Sequence, residues 1–528
     1  MAWPPPSRSR LLPLALLLFI SLPQYSSAAP SSAVDPASRN EYDRVDGSLA
    51  VIGIAMNATI GKVHTAINSM YGFMPLSVDQ REQNAVRDCI ELLDLSAQEL
   101  TWSLSKLNEL HSSSSSSDVV SWLSAAFGNQ DTCLEGFAGT RSQVGDYIKV
   151  HLDQITQVVG SMLAMVRNVH TLPIEPETPV DIPGDGIADA DGFPDWFQDD
   201  DRQILHRHPR RLRFDAVVAM DDSGNHSSIM EAINAAPDHS ARKYVIHVKR
   251  GVYREYVQIK KKKTNIVLIG EGVGVTVISG DRSFAQGFTT FRTATFAVSG
   301  LGFIARDITF RNTAGPQNGQ AVALRVDSDR SAFFRCSIEG YQDTLYSHSL
   351  RQFYRDCSIY GTVDFIFGNG AAVFQNCNIY ARKPLPNQKI SITAQGRKDA
   401  NQNTGFVIQK SGLFPTSDLA RVSSAYPAYL GRPWKPYART VFMQTYMGNH
   451  IRPEGWLEWL GHPYDSSVYY AEYENSGPGS NLRGRVKWPG FHAIGSEVQA
   501  RAFTVGTFLD GRSWLPHTGV PFTAGFNK

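Results

Sequence analysis

The chain has almost no net charge. In 528 residues, 51 lysines and arginines stand against 50 aspartates and glutamates, a formal +1. Such a balance leaves no field to hold a polyanionic nucleic acid, and no nucleic-acid partner is expected. HExxH, paired CxxC and GxSxG motifs are all missing, which removes the common zinc sites and the usual serine esterase. Neither a metal nor a cofactor is called for. Long apolar runs are scarce too. The conspicuous one, Leu11 to Leu22, is short of the roughly 20 residues that a transmembrane helix needs. Arg8 and Arg10 precede it and the small residues Ser26 to Ala29 follow, so residues 1–29 read as a secretory signal peptide. No further membrane-spanning run, and so no stable membrane anchor, is expected. Cysteine is sparse at five, namely Cys89, Cys133, Cys336, Cys357 and Cys377. In a secreted chain these are disulfide candidates, with one thiol left over.

Residues 40–170 carry a helical texture. Ala85–Leu110 and Val144–Val169 repeat apolar residues every three or four positions, and Val119–Phe127 continues the pattern. An antiparallel bundle of about four helices follows, with Cys89 and Cys133 tying two of them together. The serine run 112–117 reads as a loop between helices. Residues 171–213 form a linker rich in Pro, Gly and Asp. Its acidic stretch 185–192 fails as a calcium loop, because Ile187 and Gln198 fall where ligating carboxylates are needed. The linker ends in a basic cluster, Arg207 to Arg213, which is either a solvated charge run or a processing site. Sequons at Asn57 and Asn225 mark candidate glycosylation sites.

From 214 to 528 short β-rich runs alternate with Gly, Asn and Asp. They include Tyr244–Val248, Asn265–Ile269, Val275–Ile278, Phe303–Phe310 and Ala371–Ile379. "FFRCSIEGYQDT", "FYRDCSIYGTVD" and "FQNCNIYAR" repeat an aromatic–Cys–Ile motif with the cysteines 21 and 20 residues apart. That period, without intervening amphipathic helices, predicts an all-β parallel β-helix. Successive coils stack about 4.8 Å apart. A Cys336–Cys357 disulfide then comes within Cα range, as would Cys357–Cys377; the first pairing, with Cys377 free, is the expectation.

The same period gathers chemistry. Gln320 and Gln342 are 22 residues apart, as are Gln342 and Asp364, while Asp343 and Asp364 are 21 apart. Two glutamines and two carboxylates therefore fall on neighbouring rungs. Crowded carboxylates cannot both ionise cheaply, so one keeps its proton while the other stays anionic. That supplies an acid beside a nucleophile, with amide N–H donors for an oxyanion.

Five blocks sharpen this reading: Gly251–Glu255, Gln320–Leu324, Gly340–Tyr346, Gly361–Gly368 and Leu430–Trp434 (GVYRE, QAVAL, GYQDTLY, GTVDFIFG and LGRPW). Their order resembles the signature of plant pectin methylesterases, and the likeness runs through essentially all of 214–528. Val86–Cys89 and Trp122–Phe137 are similar to the inhibitor-like pro-domain of that family. Such pro-domains usually carry four cysteines; here the pair that pins the first helical hairpin is absent. The resemblance implies a right-handed parallel β-helix and hydrolysis of the C6 methyl esters of pectin in the cell wall. It implies Asp364 as nucleophile, Asp343 as acid and then base, Gln342 and Gln320 on the oxyanion, and Arg432 holding the nucleophile. Thr290, Gln320, Arg432, Trp434, Tyr346 and Phe365 are the substrate contacts it implies. The implied partners are pectin and either the chain's own pro-domain or a separate helical inhibitor protein.

Overall fold

The computed structural model describes residues 36–77, 79–110, 113–140, 143–170 and 213–526. Residues 1–29, most of the linker and its basic cluster up to Leu212 lie outside them. From Gly47 onward the chain forms one compact unit; of the unit before it, only the start of the first helix is described.

A single residue in left-handed backbone turns the chain at each coil of the C-terminal part. Asp307, Arg335, Asp356, Asn376, Lys410, Gln444 and Glu474 all have φ between 47° and 58°. Each but Glu474, which precedes only an isolated bridge at Ser476, sits between a strand of one sheet and a strand of the next, as Arg335 does between Ser331–Phe334 and Ser337–Glu339. Asp and Asn tolerate this conformation best, since their short side chains bond locally. Two expected strands are split by such a corner. Phe303–Phe310 is Ile304–Arg306 and Thr309–Asn312 around Asp307, and Ala371–Ile379 is cut after Gln375 at Asn376.

Repetition of the coil builds three parallel sheets of 11, 8 and 7 strands among the described residues, the parallel β-helix that the period called for. Side chains in register stack from rung to rung. Inside, Phe333, Tyr354 and Phe374 pair at the same level of successive strands, and their rings stack at 4.9 and 4.6 Å. Each such ring removed from water is worth roughly 1.5–3 kcal/mol.

The cysteine repeat belongs to this interior, and here the expectation is corrected. Cys336, Cys357 and Cys377 are all free and buried. Their neighbours Ser337, Ser358 and Asn378 are in register, so the thiols stand one above another with parallel Cβ vectors. The rung spacing of about 4.8 Å keeps those Cβ atoms beyond the 3.5–4.5 Å of a disulfide. Each Sγ instead donates to backbone carbonyls of its own rung and the one before, Cys357 to Arg355 and Phe333 for example.

The N-terminal part is helical, as read: α1 (Pro36–Phe73), α2 (Gln80–Lys106), α3 (Ser113–Glu135) and α4 (Val144–His170). The Cys89–Cys133 disulfide links α2 to α3. Two readings change here. Most of the serine run belongs to the start of α3 rather than to a loop. Residues Gly47–Phe73 of α1 are also long and apolar enough to cross a membrane. Ile52, Met56, Val63, Ala66 and Met70 turn instead into the helical core.

That core does not close on itself. Phe291, Ala297, Tyr346, Phe367 and Ala394, all from the β-helix, complete it. Ala297, Arg325, Tyr346, Phe367 and Ala394 form one in-register column on the outer face of the 7-stranded sheet. The helices lie over that column.

Candidate active site

Two of the left-handed residues differ from the corner set. Asp343 (φ 60°) and Asp364 (φ 52°) stand two residues ahead of the strands Leu345–Ser347 and Ile366–Gly368. Leu345 pairs with Ile366, so both aspartates hold the same place on adjacent rungs, about 4.8 Å apart along the axis. Strained backbone of this kind costs about 1–2 kcal/mol per residue and aims both carboxylates out of the coil.

Arg432 clamps one of them. Its Nε donates to Asp364 Oδ1 at 2.7 Å and its second guanidinium nitrogen to Oδ2 at 2.6 Å. The fork fixes the carboxylate in one orientation. Its guanidinium also lies 4.4 Å from the centroid of the Trp459 ring. Asp343 has no such partner. Burial, and then the neighbouring charge of Asp364, push its carboxyl well above the usual range, and Arg432 offsets this only in part. One carboxyl is thus gripped by a guanidinium, and its neighbour favours its protonated form.

Both aspartates face a cavity of about 380 Å³. Gln320, Gln342, Arg432, Thr290, Tyr346 and Trp434 line it, as the sequence led one to expect. Phe365 does not. It is fully buried in the interior of the coil, and the ring at the wall is Phe367, stacked 4.2 Å from Tyr346. Phe284, Phe291 and Trp459 also line the cavity and were missed. Aromatic residues outside the repeated blocks carry no sign in sequence of which way they face. Among the described residues no group of three or more His, Cys, Asp or Glu is placed to hold a metal.

The cavity is roofed by the helical segment, through Asp88, Thr132, Glu135, Gly136 and Ala138. Ion pairs fasten the roof. Asp88 and Glu91 meet Arg292, and Glu91 also meets Arg325 at 3.1 Å. Asp94 pairs with Lys261, Asp118 with Arg330 and Arg351, Asp131 with Lys398, and Glu135 with Lys435. In each, the carboxylate comes from a helix and the cation from the β-helix.

Fold and site together define a class: a parallel β-helix carrying a carboxylate-based hydrolase site on one outer face. The chain belongs to the pectinesterase family. The pectinesterase family model matches residues 215–512, and the plant invertase/pectin methylesterase inhibitor model matches 27–165. Pectinesterase/pectinesterase inhibitor PPE8B of Prunus persica is 51% identical over 479 residues, 89% of this chain and 88% of its own. Pectinesterase 2 of Citrus sinensis is 45% identical over 89% of this chain and 88% of its own. The solved pectin methylesterase from carrot superposes with a TM-score of 0.59 at 53% identity, covering 60% of this chain and 99% of the carrot chain. Demethylesterification of pectin is the function of the family, and the chain is a carboxylic ester hydrolase of that kind.

Proposed function

We propose that Asp364 is the nucleophile and Asp343 the proton carrier in hydrolysis of the C6 methyl ester of a galacturonate unit. The observation that carries this is the Arg432 fork on Asp364, one rung from a carboxyl that keeps its proton. The Asp364 carboxylate attacks the ester carbonyl carbon, and the negative charge passes to the carbonyl oxygen. The Gln320 and Gln342 amides donate to that oxyanion. As the tetrahedral species collapses, the C–OCH3 bond breaks, and the Asp343 proton goes to the methoxide to give methanol. Asp343, now anionic, takes a proton from water while the hydroxide attacks the acyl–Asp364 carbonyl. The Asp364 carboxylate is expelled, the product leaves as the acid and gives its proton to solvent, and both aspartates regain their starting states. Trp434 and Tyr346 offer ring faces to the sugars.

The enzyme is secreted after loss of residues 1–29 and works on pectin in the cell wall. Residues 40–170 are its own cover, and cleavage near Arg210–Arg213 gives a mature form that begins near Phe214. Methanol release from pectin by Asp364→Asn tests the assignment. Losing the nucleophile should lower turnover by several orders of magnitude with the fold intact; activity within about tenfold of wild type would refute it.

A further inference from the structure

The carboxylates that close the cleft are held as a ligand would be. At one end, the Thr289 hydroxyl donates to one Asp88 oxygen and the Arg292 Nε to the other. Both Asp88 and Thr289 line the cavity that holds Asp343 and Asp364. Asp88 is almost fully buried there, and Arg292 is 23% exposed. A hydroxyl and a guanidinium gripping the two oxygens of one carboxylate make a receptor for a carboxylate, whatever molecule it belongs to. At the other end, Glu135 Oε1 sits 2.7 Å from Lys435 Nζ. Lys435 follows Trp434 in the chain, with its ammonium 5.3 Å from the indole centroid, and Glu135 also lines the cavity.

These two points flank the aspartates along the groove. Thr289 and Arg292 precede the strand Phe296–Val298, which lies two rungs before that of Asp343, about 10 Å away. Lys435 follows Ala428–Gly431, two rungs beyond Ile366–Gly368. Without the helices both cations lose these carboxylates, beside a groove whose β-helix lining mixes aromatic rings with Thr290, Gln320, Gln342, Arg432 and the two aspartates. A pectin chain in that groove presents a carboxyl on every unit, neutral where methylated and anionic where already hydrolysed.

We propose that Thr289 with Arg292, and Lys435, are carboxylate seats for demethylated galacturonate units on either side of the ester being hydrolysed, and that Asp88 and Glu135 occupy those seats as stand-ins for substrate. The inference rests on the proposed function above. It makes the enzyme's own product the favoured context for its next turnover, and it lets one set of cations serve both substrate and cover.

The test uses the 213–528 part. The carrot chain, matched over 99% of its length by 60% of this one, is a β-helix that stands without helices. Binding of a fully de-esterified oligogalacturonate is measured by calorimetry for wild type, Arg292→Gln, Lys435→Gln and Lys435→Arg, with thermal melts confirming the fold. Each Gln variant should weaken binding at least about tenfold, and Lys435→Arg should recover most of it. The ratio of kcat/KM on partly demethylated over fully methylated pectin should fall in step. Unchanged affinity and ratio in both Gln variants would overturn the proposal, leaving the cations as anchors for the helices alone. So would failure of wild type to bind the oligogalacturonate. Binding with the stated variant effects but no methanol release by wild type would sink the esterase reading and leave the seats standing.

Discussion

Asp343 is a residue that the fold tolerates rather than wants. Its carboxyl is raised above the ordinary 3.8 by burial and by Asp364, so ionisation is easier in the unfolded chain than in the native one. The stability it contributes is present below pH 3.8 and is lost as pH rises towards the native value. Asp343→Asn keeps the shape, suits left-handed backbone and cannot ionise. It should therefore melt higher than wild type at neutral pH and alike near pH 3.5, while releasing no methanol. Calorimetric melts at the two pH values decide the matter; equal shifts at both would contradict the linkage. The clustering of the proposed reacting groups was legible in sequence, because a period of 21 or 22 residues brings Gln, Asp and Asp to one face whatever the details of the coil. Phe365, a contact that the resemblance implied, lies inside because alternation fails at a left-handed residue. After Asp364 the chain turns so that Phe365 and Ile366 both point inward and Phe367 points out. Nothing in the letters marks that turn, and the cysteine ladder was misjudged for a related reason. Cα spacing follows from the repeat, but the direction of Cβ does not.

At the level of the coil, the left-handed corners set where one sheet stops and the next begins. Lys410 (φ 50°) is one of the corners without an Asp or Asn side chain. A β-branched residue there meets the full steric cost, whereas glycine meets none. Lys410→Val should be less stable than Lys410→Gly by about 1–2 kcal/mol in chemical denaturation. Parity between the two would mean that the corner relaxes. These corners explain why strand existence could be read from sequence and strand boundaries could not. Runs such as 303–310 look continuous, because the αL position holds an ordinary Asp and the residues on either side are equally apolar.

The union of helices and β-helix is the part that sequence hid most thoroughly. Asp88, Glu91, Asp94, Asp118, Asp131 and Glu135 look like the solvated faces of α2 and α3 until the opposing cations are in place. The match lies between segments roughly 170 to 300 residues apart, with no local signature. One member of this interface has no cation to meet. Glu99 is buried under the helices, accepts from Asn129 at 2.9 Å and faces Asp327 and Asp329, with Lys261 a weaker opposing influence. Burial first, and then those two aspartates, raise its carboxyl well above the usual range. A raised carboxyl stabilises the docked state in acid and withdraws that support as pH climbs. Docking of the helical segment should weaken towards neutral pH, and Glu99→Gln should flatten the dependence. Thermal melts of the full chain across pH 4 to 8 report it; an unaltered slope in Glu99→Gln would place the pH sensitivity elsewhere.

The sole disulfide among the described residues, Cys89–Cys133, lies wholly within the helical segment. Between that segment and the β-helix, therefore, the only covalent tie that these residues leave is the peptide chain through 171–213. While that chain is whole, a lost cover re-encounters its own cleft at a local concentration fixed by the tether, independent of how much protein is present. Once it is cut, closure becomes bimolecular, and the two halves part as they dilute into the surrounding space. One peptide-bond hydrolysis in that stretch would thus turn a concentration-independent contact into one that dilution undoes, and the step does not run backwards.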